Sequence, residues 1–247
     1  MGTRPKVSGL RGAFAMLTRV PMGSREPIDH SNDVAWFPVV GALVGAAVAG
    51  IYALSLVALP GEIAAVLAVG AGIVLTGAIH EDGLADTADA LWGGWSPEKR
   101  LEILKDPRIG TYGLLSLTIS VLLRVFALAT IAPPRVFPLM VGTHSLSRTA
   151  VVLGLSWFRP AAEGSGSFYS RSTSSRKAAL GLIAGLVIGS ATLGLWGIPA
   201  LGLTVASAVV VGVLARKKLG GITGDILGAI EQTTEISILL LLAAAAA

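Results

Sequence analysis

Seven stretches of this chain, 36–58, 63–79, 114–132, 136–156, 178–195, 199–215 and 226–246, are almost entirely apolar. A helix needs about 20 such residues to cross a bilayer. The second, fifth and sixth stretches are short, and Pro60 and Pro199 lie in the tight connections beside them. Trp36, Trp157 and Trp196 fall at stretch ends, where aromatic belts sit. Only 14% of the 247 residues are charged, against roughly 25% in soluble domains. With 53% hydrophobic residues, a soluble globule and a disordered chain are both excluded. The 31 glycines follow no period of three, which excludes a collagen-like chain. The expectation is an all-α polytopic membrane helix bundle, one domain over 1–247, with about seven transmembrane helices in the lipid bilayer.

Charge placement orients it. All but three of the 19 Lys and Arg residues fall in 1–35, 80–113, 157–177 and 216–225, which alternate apolar stretches place on one side. By the positive-inside rule these segments face the cytoplasm, the N-terminus with them, and the C-terminus lies outside. The net charge of +4 is thus a topology signal, and no nucleic-acid partner is expected. Arg11 and Arg19 interrupt any signal-peptide core, and Lys6 stands where a myristoylation signal needs Ser or Thr. Leu10, Phe14 and Leu17 share a helical face, so 8–20 is expected to be an interfacial helix.

Gly41 and Gly45, and Gly181, Gly185 and Gly189, recur every four residues and predict close helix contacts. The absence of Cys excludes thiol nucleophiles, thiolate metal sites and disulfides. No Walker A loop, zincin pair, dinucleotide fingerprint or serine-hydrolase elbow occurs; Gly164-Ser165-Gly166-Ser167 is read as a flexible loop.

Seven of the 15 acidic residues crowd into 80–113. Asp82, Asp86 and Asp89 are spaced i, i+4, i+7, one face of a helix. Carboxylates about 6 Å apart repel by roughly 3 kcal/mol per pair at an effective dielectric of 20. Water or a cation must offset that, and oxygen ligands point to Mg²⁺ or Mn²⁺. Glu81 is expected to be solvated. Ser96-Pro97-Glu98 starts a helix running to about Lys105, followed by Asp106-Pro107-Arg108-Ile109-Gly110, a glycine-flanked turn suited to phosphate and metal. Asp225 ends a turn at the start of the last stretch. Glu231 and Glu235, like Arg124 and Arg148, lie inside apolar stretches, where charges are functional or paired. Arg148 is placed to reach a phosphate or a carboxylate.

These motifs resemble the cobalamin synthase family, the adenosylcobinamide-GDP ribazoletransferases. The resemblance covers nearly the whole chain: Leu17-Thr18-Arg19-Val20-Pro21, Phe37-Pro38-Val39-Val40-Gly41, His80-x-Asp82-Gly83-Leu84-Ala85-Asp86-Thr87-x-Asp89, Leu104-Lys105-Asp106-x-Arg108-Ile109-Gly110-x-x-Gly113 and Gly221-x-Thr223-Gly224-Asp225-x-Leu227-Gly228-Ala229. Pro107 departs from an expected Ser. The resemblance implies a multi-pass enzyme of the cytoplasmic (inner) membrane, its active site facing the cytoplasm, that uses Mg²⁺. Its substrates are adenosylcobinamide-GDP and α-ribazole or its 5′-phosphate, with GMP released as the ribose 5′-hydroxyl attacks the diphosphate. Such phosphoryl transfer rests on positioning and charge stabilisation.

On that reading Asp82, Asp86 and Asp106 hold Mg²⁺, and Asp89 is a further ligand or the general base. Lys105, Arg108 and Arg148 hold phosphates. His80, Asp225, Glu231 and Glu235 support the site. A homo-oligomer is compatible with the sequence and not required by it.

Two other readings stay open. A lipid phosphotransferase using CDP-activated alcohols has similar spaced aspartates, but its motif places Ala-Arg after Asp-Gly, where this chain continues to Ala85-Asp86. A cation-coupled transporter would hold its acids near the bilayer midplane, and only Glu231 and Glu235 fit that.

Overall fold

The computed structural model describes residues 8–23 and 30–246. Arg4, Lys6 and Arg25, which entered the orientation argument, lie outside the described residues. The helices are α1 (Ser8–Leu17), α2 (Phe37–Ser55), α3 (Gly61–Thr76), α4 (Ile79–Gly93), α5 (Pro97–Ile103), α6 (Thr111–Thr130), α7 (Pro133–Trp157), α8 (Ser165–Ser172), α9 (Ser175–Leu193), α10 (Gly197–Leu219) and α11 (Gly224–Ala244). No strand occurs among the described residues, only an isolated bridge between Pro160 and Ile222.

Each of the seven apolar stretches coincides with a helix. Five segments are long and apolar enough to cross a membrane, six if the bent pair α3–α4 makes one span. One of the five, Ser175–Leu219, contains both α9 and α10, joined by a short 3-10 turn.

Helix α7 is the axis of the bundle. It packs against α2, α9, α10 and α11, and every residue from Gly142 to Leu155 is buried. The regularly spaced glycines make this possible. A Cβ on Gly41 would sit 2.2 Å from the His144 carbonyl, and one on Gly45 2.2 Å from that of Met140. Gly185 and Gly189 of α9 receive Thr149 and Leu146 of α7 in the same way. Where lipid supplies no hydrophobic drive between helices, such close approach supplies the packing energy.

The segment 80–113 is mostly helical, as the spacing of its aspartates and the Ser96-Pro97-Glu98 start predict. α3 ends at Gly77 (φ 67°) and Ala78 (φ 58°), both left-handed, and the axis turns by 88° into α4. A non-glycine residue in this region is sterically costly, so the break is held by its surroundings. Arg19 N–H donates to the Leu75 carbonyl at 2.8 Å. The Arg19 side chain packs over Gly77, where a Cβ would lie 2.0 Å from Nε. α5 begins as expected, with Ser96 Oγ accepting from Lys99 N–H at 3.2 Å.

Other boundaries differ from expectation. α1 is not simply interfacial, because Ala13 and Leu17 are buried in the core. Ser165 begins α8, so the glycine–serine run opens a helix. α10 carries Arg216, Lys217 and Lys218 in its last turn, which shortens the 216–225 connection to a four-residue turn. That turn pairs with the α7–α8 linker: Ile222 N–H donates to the Arg159 carbonyl at 2.9 Å, and Ala161 N–H to the Ile222 carbonyl at 2.8 Å. Gly221 is required there, since a Cβ would approach the Arg159 carbonyl to 2.3 Å.

Candidate active site

The site is assembled where α4 crosses the start of α11. Gly83 and Gly228 have no side chains, so the two backbones touch. A Cβ on Gly83 would lie 2.8 Å from the Asp225 carbonyl oxygen, and one on Gly228 3.2 Å from Gly83 Cα. This brings Asp225 beside Asp82 and Asp86 on the outer face of α4. Asp86 lies in the field of Asp82, Asp225 and Asp89, and among the described residues no Lys or Arg offsets it. Asp82 is exposed, and Asp86 and Asp225 are half-buried. Among the described residues neither Asp82 nor Asp86 has a hydrogen-bond or ion-pair partner. Asp225 Oδ2 accepts from Thr223 Oγ1 at 3.1 Å. Oxygen donors with uncompensated negative charge fit a hard divalent cation such as Mg²⁺.

Asp89 has a different environment. Its Oδ2 accepts from Gly110 N–H at 2.7 Å, and its Oδ1 from Gly113 N–H at 2.9 Å. Those amides open α6, where an anion is favoured by the unpaired N–H groups and the helix dipole. Both oxygens are therefore committed to anchoring α6 on α4. Gly110 and Gly113 are close-approach positions, since a Cβ on either would collide with this carboxylate.

Asp106 also has a partner. It sits in the α5–α6 linker, where Arg108 Nε donates to Oδ1 at 2.9 Å and Arg108 Nη2 to Oδ2 at 2.6 Å. The guanidinium pushes its carboxyl down to about 2. Lys105 is exposed nearby.

Arg148, expected to reach phosphate, is instead buried deep in α7. Its Nη1 lies 2.5 Å from Glu231 Oε1, 3.7 Å from Glu235 Oε2 and 2.9 Å from His144 Nδ1. Around it runs one buried network. Arg124 of α6 pairs with Glu81 of α4 at 2.8 Å and with Glu235 at 3.5 Å. Gln232 Nε2 donates to Glu231 at 3.0 Å and to Glu81 at 3.3 Å, and Ser120 Oγ donates to Gln232 Oε1 at 3.1 Å. His80 Nδ1 faces Glu231 at 3.7 Å. Glu81 is thus buried, not solvated, and Glu231 and Glu235 serve this network. Each charge among the apolar helices has a partner of opposite sign, which ties α4, α6, α7 and α11 together.

His144, Glu231 and Glu235 are the one set of three metal-type ligands clustered among the described residues. Arg148 lies among all three, so a cation already occupies the space between them. The four aspartates read from the sequence do not form such a compact set.

Two features were missed at the sequence level. Arg19 packs over the α3–α4 break, two residues before Ile79, with an exposed guanidinium that pairs with no acid among the described residues. Tyr169 of α8 donates to buried Asp33 at 3.1 Å, which fixes α8 across the mouth of the site.

The family model for cobalamin-5-phosphate synthase matches residues 9–243. The chain belongs to that family. An adenosylcobinamide-GDP ribazoletransferase of Bradyrhizobium diazoefficiens is 40% identical over 98% of this chain and 95% of its own length. Proteins of the same name from Azorhizobium caulinodans and Chlorobium chlorochromatii are 39% and 33% identical, over 90% and 94% of this chain and 89% and 94% of theirs. No solved structure matches the chain. The family motifs fall at the positions described here. Asp82, Gly83, Asp86 and Asp89 lie on α4, the motif from Leu104 to Gly113 spans the α5–α6 linker and the amides that hold Asp89, and the motif from Gly221 to Ala229 starts α11.

Proposed function

We propose that this protein is an adenosylcobinamide-GDP ribazoletransferase, joining adenosylcobinamide-GDP to α-ribazole or its 5′-phosphate and releasing GMP. The observation that carries the mechanism is the carboxylate group Asp82, Asp86 and Asp225 at the α4–α11 crossing, which no Lys or Arg among the described residues pairs. In the reaction the bond between the corrinoid-side phosphate and GMP breaks. A bond from that phosphate to a ribose oxygen forms, and the hydroxyl proton passes to a carboxylate. A cobalamin 5-phosphate product keeps phosphate at its 5 position, so the attacking hydroxyl is not the 5′ one. That corrects the expectation from the sequence.

Asp82, Asp86 and Asp225 would hold Mg²⁺, which when bound neutralises charge on the diphosphate. Asp89 positions α6, because each of its oxygens accepts an amide at the start of that helix. Asp106 aims Arg108, which with Lys105 and Arg19 supplies cations for phosphate. Arg148 and His80 hold the helices that carry the site. The membrane is the cytoplasmic (inner) one, with seven spans, the N-terminus inside and the site facing the cytoplasm, as the Lys and Arg distribution supports.

The test is product formation by the purified, detergent-solubilised protein. Corrinoid product and GMP should appear in equal amounts from adenosylcobinamide-GDP with either acceptor. A folded protein that forms neither product rejects the reaction. A lipid phosphotransferase is the second reading, favoured only by its similar spaced aspartates, and it predicts turnover of a CDP-activated alcohol instead.

A further inference from the structure

Between α4, α7, α8 and the start of α11 lies a cavity of about 110 Å³. One wall carries Asp82 and Asp225, with His80 beside them. The others are apolar, and Phe37, Leu155 and Tyr169 are the side chains that shape them. No Lys or Arg lines it. The aromatic pair is rigid: Phe37 and Tyr169 meet edge to face with centroids 5.6 Å apart, and the Tyr169 hydroxyl is held by Asp33.

We propose that this cavity is the acceptor subsite and receives the aromatic base of the incoming nucleoside. The inference rests on the transferase reading above. The two substrates differ in the chemistry they need. The donor is a macrocycle bearing a diphosphate, and its anionic groups belong at the carboxylate wall, where Asp82 and Asp225 would hold a cation, not between the apolar walls. Its ring system is also far larger than the space. The acceptor's base is a flat, uncharged, mainly apolar bicycle with a ribose attached. A pocket with apolar and aromatic walls suits the base, since aromatic groups pack favourably edge to face and offset. The carboxylates at one wall suit the ribose hydroxyls, which can donate to them. A base seated against Phe37 and Leu155 would therefore leave its ribose at Asp82 and Asp225, where the phosphate must be met.

Leu155 is then a specificity-determining residue. It is buried in α7, outside the acidic cluster and the ion-pair network. Steady-state kinetics with each substrate varied separately test this, using L155F to fill the cavity and L155A to enlarge it. L155F should raise the KM for α-ribazole about tenfold or more, the scale of one or two methylenes in an apolar pocket. The KM for adenosylcobinamide-GDP should stay within about twofold. L155A should raise the relative kcat/KM for a nucleoside with a bulkier tricyclic base. Equilibrium dialysis of α-ribazole against the wild-type and variant proteins, without donor, reads the subsite independently of turnover.

A KM rise confined to the donor, or an equal rise for both substrates, overturns the assignment. So does unchanged α-ribazole binding in a folded L155F. If L155F does not fold, L155A decides: an unaltered base preference rejects the subsite. Wild-type protein that binds α-ribazole but forms no product would reject the transferase reading and leave the subsite standing.

Discussion

Gly83 on α4 and Gly228 on α11 touch backbone to backbone, and this contact sets Asp225 beside Asp82 and Asp86. A methyl group at Gly83 must displace the Asp225 carbonyl, while one at Gly228 meets its neighbours at 3.2 Å. Gly83→Ala should therefore lower kcat at least tenfold and cost about 1–3 kcal/mol of stability, the usual effect of overpacking. Gly228→Ala should be milder in both. Thermal unfolding in detergent and initial-rate assays measure the two effects, and equal losses at both positions would contradict the contact geometry.

Asp89 separates positioning from metal binding. Asp89→Ala leaves the buried Gly113 amide without its acceptor, a loss of about 1–3 kcal/mol for such a group, while the exposed Gly110 amide can turn to water. Asp89→Asn keeps one carbonyl oxygen and should recover part of the stability. Residual activity in Asp89→Asn should show the wild-type Mg²⁺ dependence. A large rise in the Mg²⁺ concentration needed for half-activity would instead make Asp89 a ligand.

Arg148 should act through stability. Removing it strands Glu231 among apolar helices and leaves Glu235 to Arg124 alone, and breaking a buried pair costs about 3–5 kcal/mol. Arg148→Met should lower the unfolding temperature sharply, and adding Glu231→Gln should restore part of it. A stable Arg148→Met protein with only a raised KM for adenosylcobinamide-GDP would return Arg148 to phosphate binding.

The Asp106–Arg108 pair predicts a pH response. The guanidinium holds the Asp106 carboxyl at about 2, below its ordinary value. The carboxylate and its pair therefore persist above that pH and are lost only as pH falls through about 2. Between pH 5 and 9 Asp106→Asn should lower the rate through Arg108 without changing the shape of the pH–rate profile. Loss of an acidic limb in that variant would contradict this.

Helical periodicity made much of this legible. The apolar stretches marked the membrane helices, and the i, i+4 spacing of Asp82 and Asp86 put them on one face. The four-residue glycine spacing marked the α2–α7 and α7–α9 contacts. What remained hidden depends on contacts between distant segments. Glu81 follows the pattern of a solvated first-turn acid, yet an 88° bend after α3 turns it onto Arg124, 43 positions away. Arg124, alone in an apolar stretch, was the signal that a buried acid had to exist. Asp89 reads from the sequence as a further ligand or the general base, and its two amide partners are hidden because the sequence does not show that the α5–α6 linker folds back to offer them. The glycines of the motifs were visible, but the partner each one admits was not.

The most direct measurement of the central claim is GMP release from adenosylcobinamide-GDP and α-ribazole, titrated with Mg²⁺, for wild-type, Asp82→Ala and Asp86→Ala proteins shown to be folded. The account predicts Mg²⁺-dependent GMP release matched by corrinoid product in the wild type, and turnover abolished in both variants at every Mg²⁺ concentration. Near-normal GMP release by a folded Asp82→Ala protein, or wild-type activity indifferent to Mg²⁺ removal by chelator, would contradict it.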